Sequence, residues 1–156
     1  MAHKGPAYLL DTCVWVNFRD QHDLSAVLTQ LATPSSSGSV KTIGKVMDEL
    51  KRRWLPVYRS VAKLDVRIKA SLEMDQRVVS LAGELLHAHP FLGRPLTPYN
   101  TADPWLIAAA KVHGFVVVTD EGTGRRAARS VKGVCTKRDV ECMDRRGFAA
   151  AVGLKL

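Results

Sequence analysis

Short apolar runs alternate with longer segments of helical periodicity along the chain. Ala7 to Leu10 and Phe115 to Val118 are apolar, and an acidic residue follows each of them closely, a pattern typical of buried parallel strands. Val40 to Ile43 is a shorter strand candidate, and Val131 to Cys135 is a weaker one. These runs predict the strands of one parallel sheet.

Apolar residues at helical spacing occupy the stretches between these strands. The predicted helices start at about Val14, cover Leu24 to Leu31, pass through Val46, Leu50 and Trp54, run from Leu72 to His87 and from Asp103 to about Val112, and finish with Glu141 to Ala151. Asp103 suits the N-cap of its helix, Pro104 suits the first helical position, and Gly114 ends the helix. Strands that alternate with helices in this way predict an α/β fold.

Two stretches rich in proline, glycine or serine are predicted loops. Thr33 to Gly38 is too short to link two domains, and Pro90 to Pro98 precedes the helix of Asp103. The chain of 156 residues is 46% hydrophobic and 24% charged, which is the composition of a globular protein and excludes a disordered one. We expect one domain over residues 1–156, with its core at about 8–150.

Cysteine content and hydropathy bear on the compartment. Cys13, Cys135 and Cys142 cannot all pair and form no C-x-x-C motif, so we expect a reduced protein without a zinc framework. No apolar run reaches the roughly 18 to 20 residues of a membrane helix, and the first residues lack the pattern of a signal peptide. The expectation is a cytoplasmic protein without a membrane partner.

The charge is unevenly distributed along the sequence. Lys and Arg number 23 against 15 Asp and Glu, a net charge of +8. The residues after 121 contain nine basic and three acidic groups, so most of the excess lies there. The basic side chains of this stretch include Arg125, Arg126, Arg129, Lys132, Lys137, Arg138, Arg145 and Arg146. Such a stretch is either solvated surface or a contact surface for a polyanion, with nucleic acid the first candidate.

Four acidic residues fall where a parallel sheet would gather them. Asp11 and Asp120 follow strands, Asp103 heads a helix, and Glu49 lies on the helix after the second strand. Each alone has an ordinary explanation as a cap, a turn residue or a surface residue. Together at the carboxyl edge of a sheet, where ligands bind, they would need a counterion, and carboxylate oxygens suit Mg²⁺ or Mn²⁺. Two such ions about 4 Å apart can activate a water and stabilise the leaving oxygen in phosphodiester hydrolysis.

Four motifs resemble the acidic motifs of PIN-domain ribonucleases, particularly the small VapC-like toxins. They are YLLDT at 8–12, VMDEL at 46–50, ADPWLIAAAK at 102–111 and VVVTDE at 116–121. The resemblance implies a PIN-like three-layer α/β/α sandwich with a central parallel sheet of four to five strands. It also implies a catalytic Mg²⁺ or Mn²⁺ site, a homodimer and a cognate antitoxin protein. The family's metal-site acids fall on Asp11, Glu49, Asp103 and Asp120.

Neighbouring residues leave some assignments open. Glu121 adjoins Asp120 and could replace it as the fourth acid, although Asp120 comes first off the strand. Asp48 adjoins Glu49, which fits the family's acidic-leucine pattern better. Thr12 and Thr119 lie beside acids, where they either assist the site or are structural. Arg125 and Arg126 follow the fourth acid and are the predicted RNA contacts.

The expected function is therefore a Mg²⁺- or Mn²⁺-dependent endoribonuclease that leaves 5′-phosphate ends, as the toxin of a toxin–antitoxin pair. The alternatives are a degenerate PIN-fold module that binds nucleic acid or a partner protein without catalysis, and a structure-specific DNA nuclease. Cys13 has no histidine linked to it in the sequence, so packing is favoured over nucleophilic catalysis. Trp15, Trp54 and Trp105 lie in apolar helical settings, which favours core or dimer packing over base stacking.

Overall fold

A computed structural model describes residues 6–33, 39–93, 102–121 and 129–156. Its strands are β1 (Tyr8–Leu10), β2 (Val40–Lys41), β3 (Val116–Val118) and β4 (Cys142–Met143). Its helices are α1 (Thr12–Gln21), α2 (Leu24–Leu31), α3 (Gly44–Arg53), α4 (Leu55–Val61), α5 (Ala70–Glu73), α6 (Gln76–Ala88), α7 (Ala102–His113), α8 (Val131–Lys137) and α9 (Arg145–Val152). A short 3-10 turn, Pro90–Gly93, follows α6.

The four strands form one parallel sheet in the order β2-β1-β3-β4. Tyr8 pairs with Val116 and Leu10 with Val118, so β1 and β3 lie side by side in the centre. The chain leaves β1 toward one edge to form β2 and later returns to the other side of β1 to form β3. This makes the gap beyond the carboxyl ends of β1 and β3 the switch point of the sheet, where α/β proteins bind ligands.

The predicted fold class is confirmed: the protein is α/β, with a four-stranded, all-parallel sheet flanked by helices. Both central strands are buried along their whole length, as their unbroken apolar runs predicted. The helix Leu24–Leu31 has the predicted bounds, and Gly114 ends α7 in the left-handed conformation that favours glycine. The predicted loop residues 34–38 and 94–98 lie outside the described residues.

The strand predicted in the carboxyl-terminal part of the chain, Val131 to Cys135, was wrong. Val131 to Cys135 belongs to helix α8, because Ser130 caps it by accepting a hydrogen bond from the Gly133 amide, 3.1 Å away. The buried residues of this helix recur at helical spacing. The fourth strand is instead Cys142–Met143, within the stretch predicted as the last helix, and that helix begins only at Arg145.

Two predicted helices are divided in the structure. The stretch from Leu72 to His87 forms α5 and α6, and Asp75 caps the second by accepting from the Arg77 amide at 2.9 Å. The helix expected through Trp54 ends at Arg53, and the unpredicted helix α4 follows it with a proline in its first turn. The sharp change of direction at Trp54 matters for the site described below.

The core is large enough to bury its aromatic side chains within one chain. Trp15 and Phe18 are fully buried and pack edge to face, with ring centres 6.2 Å apart. Trp15 therefore needs no second subunit to remove it from solvent, which takes away one reason for expecting a dimer. None of the helices in the described ranges is long and apolar enough to cross a membrane.

Candidate functional site

Asp11 lies between β1 and α1, at the switch point of the sheet. Its extended backbone ends the strand, and its carboxylate caps the helix by accepting from the Thr12 amide at 2.7 Å. The Thr119 hydroxyl, beyond the end of β3, donates to the other carboxylate oxygen at 3.0 Å. Asp11 is only 3% exposed. The sequence left open whether Asp11 caps a helix or belongs to a site at the sheet edge. In the structure its carboxylate caps α1 and also lines the pocket.

Asp120 is held in a different direction, by an ion pair with Arg145. The Arg145 guanidinium donates to its carboxylate at 2.7 Å, and the Arg145 backbone amide donates at 3.0 Å. The Asn17 side-chain amide donates at 2.7 Å to the same oxygen as the guanidinium, while Gln21 accepts from the other end of the guanidinium at 3.0 Å. This network joins the end of β3 to α1 and α9. Asp120 does not line the pocket into which Asp11 faces.

Glu121, the next residue, does line that pocket. Its backbone amide donates to the Thr119 hydroxyl at 3.2 Å, which fixes the turn after β3. The two successive residues after Thr119 therefore have different roles. Asp120 bonds to helices α1 and α9, and Glu121 lines the pocket. Glu121, which the sequence left as an alternative to Asp120, is thus the acid that lines the pocket with the other carboxylates.

Asp103 and Glu49 complete the acidic lining. Asp103 is not the N-cap that the sequence predicted, because α7 already begins at Ala102 and Asp103 lies in its first turn. Glu49 is half-buried on α3, whereas its neighbour Asp48 is exposed. The preference for Glu49 over Asp48 therefore agrees with which of the two lines the pocket.

The four acids share a pocket of about 260 Å³. It is lined by Asp11, Thr12, Cys13, Val16, Asn17, Glu49, Arg53, Trp54, Asp103 and Glu121. The acids come from four separate segments: the end of β1, helix α3, helix α7 and the turn after β3. In the described part of the chain, no lysine or arginine forms an ion pair with any of the four.

Burial and mutual repulsion disfavour the ionised state of these acids. Burial raises the pKa of Asp11 to about 6, with a smaller contribution from Glu49, while the hydrogen bonds from Thr119 and Thr12 oppose the rise. Burial and then the Asp11 charge raise the pKa of Glu121 to about 7. The pKa of Asp103 is raised well above its ordinary value by burial and by the other three acids.

Glu49 is influenced by the pocket's cation as well. Burial raises its pKa, whereas the nearby Thr12 hydroxyl and the charge of Arg53 lower it. The Thr12 hydroxyl is buried and close enough to favour the Glu49 anion, yet makes no fully formed hydrogen bond. Thr12 lines the pocket together with Asp11 and Glu49, and among the described residues its hydroxyl has no other hydrogen-bond partner.

The donor set suits a hard divalent cation, which would offset the repulsion among these carboxylates. Among the described residues, no three histidine, cysteine, aspartate or glutamate side chains already converge as closely as a preformed metal site requires. The pocket therefore offers oxygen ligands of the right kind without a closed coordination sphere.

Helix α3 is held in position by a contact that the sequence did not reveal. Its N-cap residue, Ile43, has no capping side chain, and the buried Glu73 of α5 instead accepts from the Lys45 amide at 3.2 Å. Gly44 leaves room for this contact, since a Cβ there would lie 2.5 Å from the Arg67 guanidinium and 2.8 Å from the Glu73 carboxylate, and one or both side chains would have to shift. Both contacts are distant in sequence, and they fix the helix that carries Glu49.

Cys13 also lines the pocket but is unsuited to be a nucleophile. Its thiol lies 3.5 Å from the Asp11 carboxylate, and burial together with the Asp11 charge raises its pKa well above the ordinary value. The thiolate that nucleophilic chemistry requires is therefore disfavoured. Packing at the sheet edge remains the interpretation for this residue.

Some of the basic residues after 121 have structural partners. Arg145 is buried against Asp120, and Arg138 forms an ion pair with Glu84 at 2.8 Å. Arg145 is therefore not part of an accessible polyanion surface, contrary to what the charge count suggested, whereas Arg138 stays at the surface and shares its charge with Glu84. Arg125 and Arg126, the predicted RNA contacts, lie outside the described residues.

Fold and site together define an α/β protein with an acidic pocket at the switch point of a parallel sheet. Residues 8–156 match the family model described as Domain of unknown function (DUF4411). Because the match covers nearly the whole sequence, the chain belongs to this family. No match was found among the curated proteins.

Proposed function

We propose that this protein is a Mg²⁺- or Mn²⁺-dependent endoribonuclease with a PIN-like active site. The observation that carries the proposal is that four carboxylates, from four separate segments, line one pocket beyond β1 and β3. Carboxylates that line one pocket repel one another without a counterion, and strongly perturbed acids in a cleft are typical of functional sites. The resemblance of the surrounding motifs to PIN-domain ribonucleases supports the same reaction.

Asp11, Glu49, Asp103 and Glu121 are the residues that would hold the metal. When bound, Mg²⁺ or Mn²⁺ supplies activation of a water and stabilisation of charge on the leaving oxygen. The Thr119 hydroxyl and the Thr12 amide hold the Asp11 carboxylate in one orientation and favour its ionised form. In the described part of the chain none of the four acids forms an ion pair with a lysine or arginine, although the charge of Arg53 favours the Glu49 anion.

Asp120, predicted as the fourth ligand, has a structural role in this proposal. Its carboxylate already accepts three hydrogen bonds from Arg145 and Asn17. Releasing it toward the pocket would leave the buried Arg145 charge without its partner, which is costly. The Val131 amide favours the ionised form of Glu121. In the described part of the chain, however, Glu121 forms no ion pair with a lysine or arginine, so it is the more suitable fourth ligand.

The biological role that we propose is that of a toxin whose activity is blocked by a cognate antitoxin protein. RNA is the proposed substrate, the cytoplasm the proposed location and a homodimer the proposed assembly. These assignments rest on the VapC-like motifs, above all ADPWLIAAAK and VVVTDE. The net charge of +8 favours a polyanionic substrate independently of the motifs.

A degenerate module that binds nucleic acid without catalysis is the less favoured alternative. Binding alone would be stronger without acids in the groove, because carboxylates repel phosphates. Here the four acids are retained, and they raise one another's pKa values. A cation bound in the pocket during function would offset this repulsion among the carboxylates.

Cleavage of labelled RNA by the purified protein, with Mg²⁺ or with excess chelator, tests the proposal. Asp11→Asn and Asp103→Asn should each lower cleavage by orders of magnitude without unfolding the protein, because each removes one ligand charge at nearly constant shape. Asp48→Asn is the matched control, since Asp48 is exposed on the same helix as Glu49. Full activity in either pocket variant would contradict the proposal.

A further inference from the structure

The junction between α3 and α4 contributes to the lining of the acidic pocket. Arg53 is the last residue of α3, and Trp54 stands between the two helices. The Trp54 amide donates to the Leu50 carbonyl at 2.8 Å, and its carbonyl accepts from the Tyr58 amide at 3.0 Å. Both helices therefore hold the Trp54 backbone, and the Trp54 side chain lines the pocket.

Arg53 supplies a positive charge at this place. Its guanidinium carbon lies 5.1 Å from the centre of the Trp54 ring, a cation–π contact that restricts the side chain. Arg53 is exposed, and among the described residues it forms no ion pair with a carboxylate. One helical turn separates it from Glu49, so both side chains line the same pocket.

An aromatic ring beside an exposed guanidinium that forms no close ion pair is a suitable site for a nucleotide. Aromatic rings stack on nucleic-acid bases, and arginine contacts the phosphate backbone. A pocket that only held a metal would need neither the Arg53 guanidinium nor the Trp54 indole in its lining. We propose that Arg53 and Trp54 bind the nucleotide adjacent to the scissile phosphate, with the guanidinium on its phosphate and the indole against its base. This inference rests on the proposed function for the place of the scissile phosphate.

A second cation–aromatic pair on the same helices provides a matched control. The Lys51 amine lies 5.7 Å from the centre of the Tyr58 ring, a geometry close to that of Arg53 and Trp54. Neither Lys51 nor Tyr58 lines the pocket. Changes in this pair alter charge and aromatic content at the same helix junction without touching the proposed nucleotide site.

Binding of a fluorescent single-stranded RNA, measured by anisotropy in chelator at low salt, tests the inference without catalysis. Trp54→Leu should weaken binding about tenfold or more, because one stacked base is lost. Trp54→Phe should retain most of the affinity. Arg53→Gln should flatten the slope of log affinity against log salt by roughly 0.7, the change expected for one phosphate contact on a single strand. Lys51→Gln should leave affinity and slope nearly unchanged.

Oligonucleotides that lack one base at a time make the test specific to stacking. At one position, removal of the base should weaken binding to the wild-type protein as much as Trp54→Leu does. The same oligonucleotide should then lose nothing further on binding to Trp54→Leu. Additive losses at every position would overturn the stacking contact.

Two other outcomes would overturn the inference: wild-type affinity in Trp54→Leu, or an equal change of slope in Arg53→Gln and Lys51→Gln. Arg53 is exposed, so its variant remains informative even if a Trp54 variant folds poorly. Metal-dependent cleavage with normal binding by all variants would refute the nucleotide site and leave the proposed function intact. The predicted binding pattern without any cleavage would refute the proposed function alone.

Discussion

At the scale of single residues, adjacent acids after β3 have opposite environments. Asp120 is stabilised by Arg145 and Asn17, whereas Glu121 lies in a pocket where burial and Asp11 raise its pKa to about 7. A carboxylate that is satisfied by the protein contributes to stability. A carboxylate whose ionised form is disfavoured in the folded protein is available to bind a cation. The two residues should therefore fail in different ways when they are changed.

We predict that Glu121→Gln lowers RNA cleavage by orders of magnitude and leaves the thermal stability of the metal-free protein equal or higher. Asp120→Ala should instead lower the free energy of unfolding by about 3–5 kcal/mol, because Arg145 stays buried without its partner. Its cleavage per folded molecule should stay near the wild-type value. Urea denaturation and cleavage assays at low temperature check both halves, and the reverse pattern would restore Asp120 as the fourth ligand.

The raised pKa of Asp103 gives a second prediction, on stability without metal. The folded protein disfavours the Asp103 anion, so at neutral pH the ionised side chain destabilises the fold. Asp103→Asn should raise the free energy of unfolding in chelator by about 0.5–2 kcal/mol. The gain should disappear at acidic pH, where Asp103 is protonated in the folded and the unfolded states.

Thermal unfolding in chelator and in Mg²⁺ measures this effect. Mg²⁺ should stabilise the wild-type protein and stabilise Asp103→Asn much less, because a ligand charge is missing. Asp48→Asn, the exposed control, should behave like the wild type in both conditions. A wild-type protein whose stability ignored Mg²⁺ would contradict the assignment of the pocket as a metal site.

At the scale of elements, the central strands and the edge strand β2 could be predicted, and the other edge strand, β4, could not. β1 and β3 are continuous apolar runs, so their sequence alone indicates burial on both faces. β4 has only two residues, Cys142 and Met143, and neither is fully buried. A strand this short leaves no period to detect, and its place is determined by pairing with β3. Helix α8 was mistaken for a strand because its β-branched residues outweighed its capping serine.

The same limit applies to the candidate site. Asp11, Glu49 and Asp103 could be found because each follows a recognisable local pattern. That Glu121 and not Asp120 lines the pocket could not be predicted, because Asp120 is held by Arg145, which lies 25 residues further along the chain. Trp54 was expected in a core or a dimer interface, since an apolar helical setting does not show where the helix ends. Its position at the pocket follows from the unpredicted break between α3 and α4.

The basic stretch after residue 121 supplies a prediction at this scale. Arg125 and Arg126 closely follow the fourth acid in the sequence, which favours contacts with the RNA backbone. The double variant Arg125→Ala with Arg126→Ala should weaken RNA binding alike for different sequences, and should flatten the salt slope by roughly one to two. Metal-dependent stabilisation should persist, because no proposed ligand is changed. An unchanged slope would assign both arginines to ordinary solvated surface.

At the scale of the whole molecule, the proposed assembly is a homodimer. The VapC-like motifs support it, whereas Trp15 no longer does, since the chain buries this residue by itself. Light scattering at micromolar concentration should give about twice the chain mass of 17.2 kDa. A single species of the chain mass, without RNA or any partner protein, would contradict the dimer and leave the pocket chemistry unaffected.

The central claim is that the acids around Asp11 support metal-dependent hydrolysis of RNA by water. The most direct measurement is mass spectrometry of the fragments from one defined RNA, after incubation with Mg²⁺, with chelator, and with chelator followed by excess Mg²⁺. We predict fragments with 5′-phosphate and 3′-hydroxyl ends in the first and third reactions and none in the second. Cleavage that persists in chelator, or fragments that end in 2′,3′-cyclic phosphate, would contradict the account.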